Sequence, residues 1–410
     1  MDQRSCGAEL WARRPRRRAR TRRRRAIRRV PHRDHLHRED ARAARGRRPA
    51  AAAGAVLEHL QRDRSRPVAR CRRRMRVARR RVLCPFRNRT VGDAEVTKST
   101  IVRSRPAQSV LDFGIVAPGR AGPAVLADSL ELAGRLDRLG YHRLWLSEHH
   151  ESHFCWAVPE VMVAALAQRT RALRIGTAAV LLPVRNPLLL AESFRVLEAL
   201  TPGRIDLGVC AAVPLDPVAL AALAEQPGPD VAALMASFDG RLGVLLDYLR
   251  GRFPDGHRFA CGATPPFVDA PPVWVMGSGP GSAATAAARG AHYAYSLFHK
   301  GSRQDPAVPA AYRERRPDGR VALAVSCISA DTAAAAAAQR RLVEGWLRDD
   351  MRVVLSGTHD DCREQVLALA QRFRADEVIL LHLWHDPARR VDAIEAMASL
   401  IHPLAEPVRA

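Results

Sequence analysis

The stretch that decides the fold reads Leu144-Trp145-Leu146-Ser147-Glu148-His149-His150. Its first half is a short apolar run of the kind that forms a buried strand, and its second half is polar. Segments with a helical repeat of apolar residues lie on either side, at residues 124–139 and 159–169, and the second begins with a proline, as many helices do. This alternation predicts strand–helix units and a parallel sheet.

The same unit recurs along the chain from Leu111 onward. Eight strands are predicted, at residues 111–116, 143–147, 174–182, 205–210, 273–276, 292–296, 321–328 and 377–383. One connection is long, residues 211–272, and contains helical segments at 217–225 and 231–250. Eight strands in eight strand–helix units favour an α/β fold of the closed (β/α)8 type, a TIM barrel, over an open doubly wound sheet. In such a barrel the loops after the strands form the active face.

The positive charge of the chain is concentrated near its N-terminus. Residues 1–108 hold 35 arginines and lysines against 9 aspartates and glutamates, whereas residues 109–410 hold 31 against 33. Because blocks of like charge oppose a compact core, we interpret residues 1–108 as a disordered basic arm and residues 109–410 as one barrel domain. Translation from a start codon upstream of a true start near Val110 would also explain the arm. Nucleic-acid binding is disfavoured, since no aromatic residues are interleaved for base stacking.

The composition also bears on the compartment. No apolar run reaches the roughly 18–20 residues that span a bilayer, and the N-terminus lacks an apolar signal core. The eight cysteines show no C-x-x-C spacing, so neither a zinc site nor a disulfide framework is predicted. We therefore expect a cytoplasmic protein without a membrane partner.

Three polar residues, Glu148, His149 and His150, follow the second strand, where barrel chemistry normally occurs. Histidine titrates near neutral pH and exchanges protons with a reacting oxygen, and an adjacent carboxylate fixes its tautomer. We predict that this group is catalytic, with His149 as the first choice. Two interpretations stay open beside it: a structural cap for the loop, and a metal site that includes His153 but lacks the helical setting of a zinc protease.

Small residues occupy the ends of two other strands. In the third strand, Ala178 and Ala179 would let a flat ring lie against the backbone, or would simply fill the taper of a barrel. After the fifth strand, Ser278, Gly279 and Ser282 lead into a helix. Backbone and hydroxyl groups at a helix N-terminus predict a phosphate site, with a plain tight turn as the alternative.

Other polar residues near strand ends are less informative. Cys210 ends the fourth strand and is interpreted as a small buried apolar group rather than a nucleophile, because no base accompanies it in the sequence. His382 and His385 follow the eighth strand and either line the pocket or lie in solvent. Asp112 and Glu192 are candidates for buried roles.

These segments, in this order, resemble the bacterial-luciferase-like flavin monooxygenases. The resemblance extends from Leu111 to about Ile401 and becomes specific only when the segments are taken together. The segments that carry it are Trp145–His150, Ile175–Pro183, Ala191–Glu192, Pro202–Val209, Ser356–Thr358 and Asp376–Val378.

The resemblance implies a barrel that binds reduced FMN, or a related deazaflavin, over the bulge in the third strand. In the luciferases a non-proline cis peptide joins the two residues that match Ala178 and Ala179. His149 matches the catalytic histidine of the family, and Cys210 matches a reactive thiol beside the flavin. The residues matched to the flavin phosphate are Ser278, Gly279 and Ser282.

The implied activity is oxygenation of a small, largely apolar metabolite by O2 through a flavin hydroperoxide, with His149 supporting proton transfer in a dry pocket. Relatives of this form occur in natural-product pathways. A separate reductase would supply the reduced flavin, and a homodimer would form through barrel helices. The alternatives are a deazaflavin-dependent dehydrogenase or reductase on the same barrel and a non-catalytic flavin-binding relative.

Two features depart from the family pattern. Where the family has an arginine for the flavin phosphate after its fourth strand, this sequence has Cys210-Ala211-Ala212, which predicts weaker hold on the cofactor. The long lid after the seventh strand of luciferase is also missing, since only residues 329–356 lead to the next element. We therefore expect a more open route for the substrate.

Overall fold

The computed structural model describes residues 105–398, apart from residues 118, 254–255, 257–260, 267, 346 and 348. Nearly all of the predicted arm lies outside these residues, so its disorder and the domain boundary at residue 109 stay predictions. Within the described residues, eight parallel strands close into a barrel and helices pack around it. The predicted (β/α)8 fold is confirmed.

Eight strands form the barrel wall, and two short strands extend it. The wall consists of β1 (Ala107–Asp112), β2 (Arg143–Leu146), β3 (Arg174–Thr177), β5 (Ile205–Cys210), β6 (Val273–Gly277), β7 (His292–Ser296), β8 (Val321–Ala330) and β10 (Glu377–His382). The parallel pairings of β10 with both β1 and β8 close the ring. β4 (Val180–Leu181) pairs with β5, and β9 (Leu355–Thr358) pairs with the far half of β8.

Helices connect successive strands on the outside of the barrel. They are α1 (Gly122–Leu139), α2 (Pro159–Arg169), α3 (Pro187–Leu200), α4 (Pro217–Leu223), α5 (Val231–Ala236), α6 (Phe238–Arg250), α7 (Pro280–Arg289), α8 (Ala307–Arg315), α9 (Ala333–Glu344), α10 (His359–Phe373) and α11 (Pro387–Met397). Several begin at a proline whose preceding side chain caps the helix. Asn186, for example, accepts hydrogen bonds from the backbone of Leu188 and Leu189.

Two predicted strands were wrong in their bounds. The first was placed at residues 111–116 but runs from Ala107 to Asp112. It ends there because the Asp112 carboxylate accepts a hydrogen bond from the Gly114 backbone (3.1 Å), and Gly114 has a positive φ of 64° that turns the chain away. The third strand, predicted as continuous over residues 174–182, is interrupted by a cis peptide between Ala178 and Ala179.

The helix predicted over residues 231–250 is also divided. It forms α5 and α6, which meet at Ser237. The Ser237 hydroxyl donates a hydrogen bond to the Leu234 carbonyl (2.6 Å), and such local bonds compete with the helical pattern. The other six predicted strands agree with the observed ones to within two residues at each end.

A buried ion-pair network, Arg143 with Asp206 and Glu377, fills the barrel near the amino ends of its strands. Arg143 Nε donates to Asp206 Oδ2 (2.9 Å), and a second guanidinium nitrogen bonds to Glu377. The indole nitrogens of Trp274 and Trp145 donate to Asp206 (3.1 Å) and Glu377 (3.0 Å), respectively. The Arg143 guanidinium lies 4.6 Å from the centre of the Trp145 ring and 5.1 Å from the centre of the Trp274 ring. Each of the three charged residues is at most 1% exposed, so their charges are compensated almost entirely within the protein.

This network keeps Glu377 ionised. Burial acts to raise its pKa, but the positive charge of Arg143 and a hydrogen bond from the Ser109 hydroxyl outweigh burial, so the pKa lies below its ordinary value. A carboxylate with a lowered pKa stabilises the folded chain at neutral pH, and that contribution is lost as the pH falls through the folded-state pKa.

We predict that Glu377→Gln lowers the free energy of unfolding by about 3 kcal/mol at pH 7, because it removes one partner of a buried guanidinium. The matched control is Glu395→Gln, which breaks the solvent-screened pair with Arg135 and should lower the free energy of unfolding far less. Urea denaturation followed by tryptophan fluorescence measures both. Equal losses in the two variants would contradict the role given to the network.

Candidate active site

The residues predicted from three strand ends converge on one cavity at the carboxyl end of the barrel. Glu148, His149 and His150 reach it from β2, and Ala178 and Ala179 reach it from the bulge after β3. Cys210, at the end of β5, completes this side of the wall. The structure therefore brings together all the residues predicted for catalysis and for the flavin ring.

His149 is held between aromatic rings. Its imidazole stacks on Phe154, with ring centres 4.0 Å apart and planes at 15°, and it meets Phe113 edge to face at 5.0 Å. Its Nδ1 lies 3.7 Å from the carboxylate of Glu151. A negative charge on this side favours a proton on Nδ1. Glu151, which the sequence analysis did not select, is therefore the carboxylate beside His149.

Glu148 has a different environment. Its side chain is fully buried, and Oε2 accepts a hydrogen bond from the backbone of Leu181 (3.1 Å). Oε1 lies 2.9 Å from His150 Nε2 and 3.4 Å from an Arg185 guanidinium nitrogen. Glu148 thus fixes the bulge and the ring of His150, which makes it a positioning residue in this arrangement. Its predicted direct part in catalysis stays a prediction.

The bulge itself consists of small residues in close contact with the next strand. The cis peptide between Ala178 and Ala179, which the family resemblance implied, is present. The backbone nitrogen of Ala178 donates to the Leu146 carbonyl (2.7 Å). A Cβ on Gly208 would lie 2.0 Å from the Thr177 carbonyl oxygen. Only glycine at this position therefore lets β5 pack this closely against the end of β3. The two alanines leave room at the cavity for a flat ring.

Burial raises the pKa of the Cys210 thiol to about 12. The thiol is therefore protonated at neutral pH and is a poor nucleophile. This agrees with its interpretation as a small, weakly polar part of the wall.

The predicted phosphate residues divide into two environments. Ser278 and Gly279 line a groove of about 550 Å³ between α7 and α8, and open space surrounds Gly279. The Ser282 hydroxyl instead donates to the Gly279 carbonyl (2.8 Å) and lies 3.3 Å from the Tyr293 hydroxyl. Ser282 thus braces the loop, while Ser278 and the helix N-terminus border the groove.

Two arginines, Arg303 and Arg315, border the same groove. Arg303, in the loop after β7, lines it together with Ser278 and Gly279. It lies far in sequence from the position after β5 where the family has its arginine, and nothing in the local pattern distinguishes it. Sequence analysis therefore missed it.

His382 does not lie in solvent, because its side chain is 3% exposed. It lines a second cavity with Asp112 and Arg390, and this cavity shares Phe113 with the cavity of His149, so its place in the pocket stays a prediction. His385 lines that cavity too. Burial, followed by the nearby positive charge of Arg390, lowers the pKa of His382 to about 3, so the ring is neutral.

The two acids singled out in sequence differ. Asp112 is buried, as predicted; it accepts a hydrogen bond from the Ser129 hydroxyl (2.8 Å) and forms an ion pair with Arg390 (3.0 Å). Glu192 is only partly buried and accepts a hydrogen bond from the Thr264 hydroxyl (2.9 Å). Its expected buried role was wrong.

Among the described residues, no group of three histidine, cysteine or acidic side chains has the geometry of a metal site. Among the helices described, none combines the length and apolarity needed to cross a membrane.

Comparison with known proteins identifies similar sequences. The sequence profile of the luciferase-like monooxygenase family matches residues 111–368. The protein YwcH of Bacillus subtilis (strain 168) is 30% identical over 315 residues, which are 68% of this chain and 93% of YwcH. N-acetyl-S-alkylcysteine monooxygenase of the same organism is 34% identical over 201 residues, which are 48% of this chain and 58% of that enzyme.

Solved structures share the fold. The crystal structure of apo-MsnO8 has a TM-score of 0.62 and 29% identity, covering 72% of this chain and 98% of MsnO8. The oxygenating constituent of 3,6-diketocamphane monooxygenase, solved with FMN, has a TM-score of 0.55 and 18% identity over 73% of this chain and 98% of its own. An F420-dependent secondary alcohol dehydrogenase, solved with an F420-acetone adduct, has a TM-score of 0.54 and 15% identity, covering 72% of this chain and 99% of its own. The last two similarities show the fold alone.

Proposed function

Because the chain belongs to the luciferase-like monooxygenase family, we propose that it is a flavin-dependent monooxygenase that uses reduced FMN and O2 to oxygenate a small organic metabolite. One observation carries the proposal. A histidine fixed between aromatic rings faces the same cavity as a bulge of two alanines and a protonated thiol. That cavity lies at the face of the barrel where active sites occur.

The residues present fit a flavin. Ala178 and Ala179 would hold the flat ring against the backbone, where larger side chains would occupy its space. Ser278, Gly279 and the N-terminus of α7 would hold the phosphate, and Arg303 would supply the positive charge that the family places after the fourth strand. Bound reduced flavin would supply the electrons that activate O2.

The chain's own residues would control protons and water. Glu151 favours a proton on His149 Nδ1, and the rings of Phe113 and Phe154 fix the plane of the imidazole. His149 would then hold or transfer a proton at the cavity that it shares with the bulge. The apolar side chains around the cavity would limit the access of water to the reaction.

A deazaflavin is the second candidate cofactor, because an F420-dependent dehydrogenase has the same fold. The chain would then act as a dehydrogenase or reductase. A non-catalytic flavin-binding role is the remaining alternative, and turnover with any substrate would exclude it.

We predict that Arg303→Ala weakens FMN binding about tenfold, because a charge-assisted bond to phosphate is lost. Arg315→Ala is the matched control, since Arg315 borders the same groove at the C-terminal end of α8. Isothermal titration of the full chain with FMN, riboflavin and F420 gives the affinities. Riboflavin has no phosphate, so its affinity should be the same in both variants. An unchanged FMN affinity in Arg303→Ala would remove Arg303 from the phosphate site.

We predict that His149→Ala releases hydrogen peroxide from reduced FMN and O2 faster by about tenfold or more, because no group then holds the reacting proton. His385→Ala, in the separate cavity, should behave as the unmodified chain does. A peroxidase-coupled assay after a single turnover gives the rate. Identical rates for all three proteins would argue against His149 as the proton-transfer residue.

Two partners belong to this proposal. A separate flavin reductase would supply reduced FMN, since the described residues form one barrel. NADH oxidation should therefore start only when a flavin reductase is added to the full chain and FMN. A chain that oxidises NADH with FMN alone would rule out this dependence.

A homodimer would form through α2 and α3, which contact each other and expose apolar side chains. Val161, Leu189 and Leu200 are 68%, 63% and 60% exposed. We predict that Leu200→Asp converts the dimer to a monomer in sedimentation velocity. Leu342→Asp, on α9 and equally exposed, should leave it intact. A monomeric unmodified chain at micromolar concentration would refute the dimer.

A further inference from the structure

Part of the cavity wall is apolar and partly aromatic. Phe113, Phe298 and Met351, from the loops after β1 and β7 and before β9, form its buried part, and Val213 and Leu215 continue it toward solvent on the connection after β5. Phe113 and Phe298 meet edge to face, with ring centres 6.3 Å apart and planes at 72°. A third flat ring placed beside them would extend this edge-to-face arrangement.

The described residues that line the cavity include two acids, Glu148 and Glu151, and three histidines, but no arginine or lysine. Glu148 is already paired, because Arg185 and His150 both lie within bonding distance of its carboxylate. Arg352 lies nearby but donates to three backbone carbonyls. An anion entering the cavity would therefore meet the Glu151 carboxylate and no lining arginine or lysine among the described residues.

We propose that the cavity selects an uncharged substrate with a flat aromatic ring and rejects its carboxylate analogue. That this molecule is oxygenated rests on the proposed function, whereas the preference for a neutral ring over a carboxylate depends only on the side chains that line the cavity. The aromatic wall favours the ring by edge-to-face contact, and the Glu151 carboxylate disfavours a negative group where no described lining residue is an arginine or lysine. The substrate class is therefore a neutral arene, such as a phenol or an aromatic ketone.

The rim of the cavity offers a matched pair of positions. Leu215 lines the cavity and is 63% exposed, so a longer side chain fits there without disturbing the core. Val218, three residues further on, is 76% exposed and does not line the cavity. An arginine at either position adds the same charge to the same connection, but only one would reach a bound carboxylate.

The test uses 2-naphthol, 2-naphthoate and the saturated analogue 2-decalol with the full chain at pH 8, where histidine is mostly neutral. Equilibrium dialysis is performed with and without saturating oxidised FMN. We expect 2-naphthol to bind about tenfold more tightly than 2-naphthoate and about threefold more tightly than 2-decalol. Leu215→Arg should strengthen 2-naphthoate binding about tenfold, and Val218→Arg should leave it unchanged.

The outcomes are distinct. Equal affinity for 2-naphthol and 2-naphthoate, or binding of neither, overturns the proposal. Equal affinity for 2-naphthol and 2-decalol overturns the requirement for an aromatic ring. An equal gain in both arginine variants shows that 2-naphthoate binds elsewhere and overturns the assignment to this cavity. A chain that does not bind FMN would contradict the proposed function. The substrate proposal would still be tested in that case, because the affinities for the three probes are also measured without FMN.

Discussion

The contact of Arg143 with Asp206 and Glu377 is the constraint on which the rest of the barrel depends. It joins β2, β5 and β10, three strands spaced around the wall, through one guanidinium at its centre. A buried charge is tolerated only while its partners stay in place, so the three strands cannot shift independently. The residues that follow β2 and end β5, among them His149 and Cys210, are therefore presented to the same cavity.

A second constraint acts at the other end of the same strands. Glu148 connects the loop after β2 to the backbone after the alanine bulge, and Arg185 ties it further to Glu160 on α2. The Glu148 carboxylate is bonded to the Leu181 backbone and to Arg185, and the acid beside His149 is Glu151. From the sequence, control of the histidine tautomer was assigned to the adjacent carboxylate of Glu148, whereas the structure places Glu148 on the bulge and Glu151 beside His149.

Much of the fold followed from local patterns, and much of the site did not. Six strands were predicted closely because their apolar runs are bounded by polar residues or turns, while β1 was misplaced because its end is set by a side-chain contact of Asp112. The ion-pair network joins residues 63 and 234 positions apart, so no local pattern reveals it. Arg303 was missed for the same reason, and the sequence did not decide between a buried and a solvated His382 because burial at a strand end depends on the loops that pack over it.

The central claim is that a flavin ring lies between the alanine bulge and His149. A crystal structure of the full chain with oxidised FMN tests it most directly. The account predicts the isoalloxazine ring over the peptide between Ala178 and Ala179, His149 on the facing side of the cavity, and the phosphate within hydrogen-bonding distance of Ser278 and Arg303. Electron density for FMN outside this cavity, or a phosphate bound at another helix, would contradict it.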